Sequence, residues 1–316
     1  MKYYRLSFGL GALAGGCLLP QMALSGSGPI VSINGQEMSA SNETISTSIS
    51  AEYVVESAYI GDGEVTRGKG PETGNFSEAH NLVRFVFTPD VKLGILRLGA
   101  EWERYEFDFD FPRRNAPLPE RLHSVAGIIG LDTQISDSIL MRIEAQPGVY
   151  STVLEEGEGS FSVPVIIGGT YIYSSSLQLV LGVSIDYERE SPALPGGGVR
   201  WKIGPQWVLN AVLPTPRLEY SPSNNVTIYG GANLKQKTYR VQEDLFYNRE
   251  NWNHALVTYT EVRIGGGVDW DISSFLTLTV EGGYQPFRTF DFHRLDVRYK
   301  QDEGAPYAMI SLHGAF

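Results

Sequence analysis

Ser311 and His313 stand two residues apart near the end of the chain, and on an extended backbone both side chains project to the same side. A hydroxyl beside an imidazole is the minimum for an activated nucleophile, the ring taking the hydroxyl proton. Asp291 and His293 repeat the spacing with a carboxylate that can orient an imidazole for general-base work. Neither pair has the third group that completes such a constellation. The five histidines are His80, His123, His254, His293 and His313, no HExxH occurs, and the one cysteine is Cys17, so the usual zinc spacings are excluded. Glu106, Asp108 and Asp110 alternate as a hydrated strand end would and lack the dense acidic loop that calcium requires. Gly168, Gly169 and Gly265 to Gly267 lie inside strand-like segments, whereas a phosphate cradle opens a helix. No catalytic, metal or cofactor site is expected.

The charges are better placed than the nucleophiles, and period two organises them. Tyr53 and Val55 alternate with Glu52 and Glu56; Leu96, Leu98, Ala100 and Trp102 with Arg97, Glu101 and Glu103; Ile139, Met141 and Ile143 with Arg142 and Glu144. Leu177, Leu179, Leu181, Val183 and Ile185 alternate with Gln178, Ser184 and Asp186, and two long segments near 256–285 set Glu261, Arg263 and Glu281 opposite an apolar face. Strands with one apolar and one charged face fit a sheet whose two sides meet different solvents.

Residues 1–25 read as a secretory signal peptide: Lys2 and Arg5 precede an apolar stretch too short for a comfortable spanning helix, and Ala23-Leu24-Ser25 gives a small-residue exit. Cys17 falls inside that segment. Its removal takes away Lys2 and Arg5 and no acid, leaving 23 basic against 36 acidic residues. So acidic a chain is a poor nucleic-acid binder and a poor peripheral ligand for anionic lipid. Residues 26–43 are polar without alternation, a flexible periplasmic lead-in, and 44–316 are expected to form one domain.

Connections fall into two classes. Long polar stretches lie near 60–80, 111–121, 151–159, 190–197, 240–252 and 293–304, and short turns near 89–90, 133–137, 174–176, 204–205, 221–225 and 271–274. Alternating long and short connections is an outer-membrane rule. Pro214 and Pro216 would break a central strand, so 207–213 and 217–220 form a short hairpin with those prolines at its tip, or no strand at all. The count is about twelve strands, in a range of ten to fourteen, with fourteen if the hairpin is included.

The final segment carries a resemblance. Ala308, Ile310, Leu312, Gly314 and Phe316 share one face, and Ile310, Leu312 and Phe316 are similar to the insertion signal of Gram-negative outer-membrane β-barrel proteins. The resemblance implies an all-β, transmembrane antiparallel up-and-down barrel, delivered by the barrel-assembly machinery and solvated by outer-membrane lipid. Ser311 and His313 loosely resemble the Ser/His pairing of outer-membrane lipid hydrolases, and Asp291 and His293 that of outer-membrane proteases, without matching the neighbours either family needs. In such a barrel Glu52, Arg84, Arg97, Glu101, Glu103, Arg142, Glu144, Asp186, Glu261, Arg263 and Glu281 face the lumen. Opposed long charges there either cross-link the interior or line a narrow, weakly cation-preferring pore. The expected function is passive or weakly selective passage of small solutes. The alternatives are a structural or surface-contact barrel and, more distantly, an envelope lipid hydrolase or protease.

Overall fold

The computed structural model describes residues 50–68, 72–111, 116–153, 159–241, 252 and 254–315. The expected signal peptide, the lead-in, the first residues of the proposed opening strand and Phe316 lie outside the described residues.

Period-two sequence becomes antiparallel strand throughout. The strands are β1 (Ala51–Arg67), β2 (Glu72–Phe87), β3 (Gly94–Phe109), β4 (Arg121–Ser136), β5 (Ile139–Ala145 continuing as Gly148–Ser151) and β6 (Phe161–Ser162 continuing as Val165–Ile172). They are followed by β7 (Leu177–Ile185), β8 (Ala193–Lys202), β9 (Trp207–Val212), β10 (Arg217–Ser223), β11 (Val226–Arg240), β12 (Leu256–Ser273), β13 (Leu276–Phe292) and β14 (Val297–Gln301 continuing as Ala305–Ala315). Each pairs with its sequence neighbours, and β1 pairs with β2 on one edge and with β14 on the other, from Glu52 opposite Ala315 to Ile60 opposite Tyr307. The ring is closed through β1 and β14, so neither terminal strand is left as an open edge.

The barrel has 14 strands rather than about twelve. The difference is the hairpin of β9 and β10, which pairs Trp207 with Tyr220 and Asn210 with Arg217. The prolines do not break it because Pro214 and Pro216 fall in the turn, where no ladder donor is required. A second correction concerns 60–80. That stretch is not a long loop: β1 runs on to Arg67 and β2 starts at Glu72. The register shifts between Ile60 and Gly63, and again beyond Val65, and such bulges erase the period-two signal while the strands continue. Likewise 293–304 holds a short 3-10 turn, His293–Leu295, and the first segment of β14.

Outward positions are apolar. Val55, Phe85, Leu98, Ile129, Leu181, Trp201, Ile228, Ile264, Val280 and Ile310 are all exposed, and together they girdle the ring. So large an exposed apolar surface has a physical rationale only against hydrocarbon.

The strands are unequal. β1 to β4 and β11 to β13 contain 15 to 18 residues, whereas β7, β8, β9 and β10 contain 9, 10, 6 and 7. The tight turns lie together at one end of the barrel, the turn end. At the other, the loop end, the long strands converge. There the upper segment of β5 touches β11 directly, with Ser151 beside Arg240 and the Thr152 amide donating to the Arg240 carbonyl at 3.1 Å, bypassing the five strands between them. Above the middle of the ring, therefore, the cross-section shrinks. Phe76, Tyr105, Phe107, Leu122, Tyr150, Tyr239, Val257, Tyr259, Phe290 and Tyr299 fill it with an apolar core. Edge-to-face contacts such as Phe107 with Phe290, centroids 4.9 Å apart, lock this core.

Candidate functional site

Most inward charges of β1 to β5 and β11 to β13 form one connected chain in which acids and bases alternate. Starting at the turn end, Asp132 accepts from Arg142 at 2.5 Å and lies 3.6 Å from Arg97. Arg97 reaches Glu52 at 3.0 Å and Glu144 at 3.4 Å. Arg84 bridges Glu144, at 2.8 Å, to Glu101, at 3.2 Å. Lys237 then crosses the lumen from β11 to β3, donating to Glu101 at 3.1 Å and to Glu103 at 2.5 Å. His80 lies between Glu103, 2.9 Å away, and Glu56, 3.3 Å away. Glu56 also holds Lys235 at 2.9 Å and Arg263 at 3.6 Å, and Arg263 contacts Glu261 at 2.9 Å. Arg288 ends the chain beside Glu78, 3.4 Å away, with its guanidinium 4.0 Å over the Phe76 ring.

Buried charges are tolerable only in such company, because a lone ion loses its hydration without replacement. Local sequence builds the network: the strands that carry it place acids and bases at inward positions of one parity, such as Glu101 and Glu103 or Glu261 and Arg263, and the antiparallel register sets Arg84 opposite Glu101 and Asp132 opposite Arg142. The eleven residues assigned to the lumen from the sequence lie at positions of opposite parity to the neighbouring exposed apolar ones. Nine of them, Arg84, Arg97, Glu101, Glu103, Arg142, Glu144, Asp186, Glu261 and Arg263, are buried among partners, and only Glu52 and Glu281 are half-exposed. Glu281 is gripped by two phenols, Tyr229 donating at 2.6 Å and Tyr307 at 2.7 Å. Tyr229 can lie flat against the wall because Gly267 has no side chain; a Cβ there would come within 2.6 Å of its hydroxyl.

Glu78, His80, Asp132, Lys237 and Arg288 belong to the network and escaped the sequence reading. The first two lay in a stretch read as loop and Asp132 beside one read as a turn. Lys237 carried the inward parity of Lys235, which was the available signal.

The pairs that might have done chemistry are not assembled. Ser311 and His313 face inward near the turn end, and no hydrogen bond joins them among the described residues. Asp291 bonds Arg298 instead of His293, whose Nδ1 is buried without a partner. Glu106 is bound to Arg104, and Asp110 accepts from the Asn75 amide at 2.7 Å. Among the described residues there is no cluster of three potential metal ligands.

Charge is unevenly spread around the ring. The network occupies β1 to β5 and β11 to β13. On the opposite arc the long acid–base chain is absent: Gly168, Gly182 and Gly196 stand side by side on β6, β7 and β8, Ile166, Val180 and Val212 form a buried cluster, and the inward polar groups are separate from the chain, with Arg200 opposite Asn210 and Arg217 3.6 Å from Asp269. Beyond β7 the loop 186–192 folds inward. Burial there raises the Asp186 carboxyl above its ordinary range and lowers the Arg189 guanidinium, and the Asp186 side chain accepts from the Glu188 amide at 3.0 Å.

No family model and no curated sequence matches the chain. Among solved structures it is similar to an outer-membrane channel from Pseudomonas putida F1, at 8% identity over 88% of this chain and 98% of that one, with a TM-score of 0.44. It is also similar to the P. putida toluene transporter TodX, at 9% identity over 85% and 90%, TM-score 0.39, and to the NanC porin, at 11% identity over 83% and 98%, TM-score 0.37. At these scores the likeness carries no argument about what passes through this barrel, and the closed ring is established by its own strand pairing.

Proposed function

We propose that the protein is an integral outer-membrane barrel that lets small solutes through passively, along one side of its lumen. The observation that supports this is the asymmetry of the interior: paired long side chains fill the arc of β1 to β5 and β11 to β13, while on the facing arc Gly168, Gly182 and Gly196 leave one row of the wall without side chains, next to the inward Arg200 and Asn210. The aromatic core at the loop end narrows any path, so conductance should be small. Glu281, half-buried and held by phenols rather than by a cation, favours a modest cation preference, since charge at a constriction sets the local potential.

Refolded protein in planar bilayers tests this. Stable steps, reduced by Gly182→Leu and shifted toward anions by Glu281→Gln, are the expected outcome. A correctly folded barrel that stays electrically silent would favour a structural or surface-contact role instead.

A further inference from the structure

The wall of the barrel has a gap, and the inference deepens the channel reading by naming a second way out of the lumen. β9 and β10 end after 6 and 7 residues, while β11 beside them continues to Arg240. Above Gly231, β11 meets only the hairpin tip on that edge: Ala232 donates to the Pro216 carbonyl at 2.9 Å and Leu234 to the Pro214 carbonyl at 3.0 Å. The next contact is at Arg240. Between these points the backbone groups of Gln236 and Thr238 that point into the gap have no backbone partner among the described residues. On the far side β8 is paired with the hairpin only as far as the Gly197 carbonyl, which accepts from Leu213 at 3.0 Å. Above that point its free edge carries Pro195, a residue with no N–H to leave unpaired.

At the height of the hairpin tip β8 and β11 stand three strand spacings apart, roughly 14 Å, and the opening narrows above it to where Ser151 meets Arg240. The wide end has room for a small molecule. A lipid-facing wall does not tolerate open strand edges, so something must cover them. The cover is the loop 186–192. Glu188 and Arg189 are both 4% exposed, Arg189 donates to the Ser184 carbonyl at 3.1 Å, and Arg240 donates to Glu188 at 2.7 Å across the gap. Aliphatic side chains lie on both faces of the wall beneath this polar cover. Ile166, Val180 and Val212 face inward, and Leu181, Ile185 and Leu213 face lipid. A water-filled pore has no use for an inward aliphatic patch, whereas a small apolar or amphiphilic solute leaving for the bilayer does.

We infer that the gap between β8 and β11 is a lateral portal for small apolar solutes, closed by the loop 186–192 and latched by the Glu188–Arg240 ion pair. The solute exchanges between the lumen and the outer leaflet without crossing the aromatic core at the loop end. Opening requires only that the loop swing outward, since the ring remains closed below the hairpin tip and at Arg240.

Uptake of the uncharged fluorophore 1-N-phenylnaphthylamine by intact cells producing the full chain tests the portal. Uptake should run several-fold above that of cells with an empty vector, and Glu188→Gln should raise it further. In a Glu188→Cys, Arg240→Cys variant, a short bis-maleimide should return uptake to background, while leaving cells that produce the unsubstituted protein unaffected. Uptake by the variant before cross-linking, together with its fast mobility on unheated gels, shows that it folds. Protein-dependent uptake that survives cross-linking, or no uptake above the empty vector, would overturn the portal. Bilayer conductance is read separately: steps without dye uptake leave the channel standing and remove the portal, and dye uptake blocked by cross-linking supports the portal even if the barrel is silent to ions.

Discussion

Glu144 shows what the network asks of a single residue. Its two carboxylate oxygens hold Arg84 and Arg97, and Gln146 adds an amide donor at 2.8 Å. Glu144→Ala removes one partner from each of two buried guanidiniums, leaving Arg84 on Glu101 and Arg97 on Glu52 and Asp132, and removing one partner of a buried pair typically costs about 3 to 5 kcal/mol. Urea unfolding in detergent should register a loss of that size. Glu281→Gln keeps both phenol contacts to a half-exposed group and should cost far less, which is why it can serve as a selectivity probe. Glu261→Gln cannot, because Glu261 is buried against Arg263 and accepts from Gln285 at 2.7 Å. Parity along a strand was enough to separate these residues from the exposed apolar face. What parity could not show was that most of them are bound to one another rather than to water, since partners such as Lys237 and Glu101 lie 136 residues apart and meet only when the ring closes.

At the scale of the strand, the outer face is the most exacting solvent the chain meets. Leu181 stands at the middle of β7 and is 74% exposed to the lipid side. Leu181→Arg should therefore destabilise the barrel by about 2 to 4 kcal/mol, the depth-dependent cost of an arginine at the bilayer midplane. Folding titrations into lipid vesicles would measure it, with the exposed loop residue Glu190→Arg as a control expected to change little. Strand existence was legible wherever alternation ran unbroken, as in β3, β7 and β12. It was lost at bulges, near Ile60 to Gly63 in β1, because one extra residue inverts the parity that a sequence reading relies on. The hairpin of β9 and β10 was legible only as a question, its prolines being compatible with a turn or with no strand.

The whole molecule is two cross-sections joined end to end: a full ring at the turn end, and a smaller one at the loop end where β5 leans onto β11. The hairpin belongs to the first alone, and it contributes nothing to the long acid–base chain, whose members all lie on other strands. β8 descends toward the turn end and β11 ascends from it, so joining them directly would keep every strand antiparallel. Replacing 203–225 with a two-residue turn is expected to give a folded, heat-modifiable twelve-strand barrel with its ion network intact and no dye uptake; loss of folding would show that the hairpin is structural. Such a part can be gained or lost as one cassette. The ring can thus change its girth by one hairpin, at a place where the step leaves the long acid–base chain untouched and removes the Arg217–Asp269 ion pair and the Arg217 guanidinium over the Tyr229 ring.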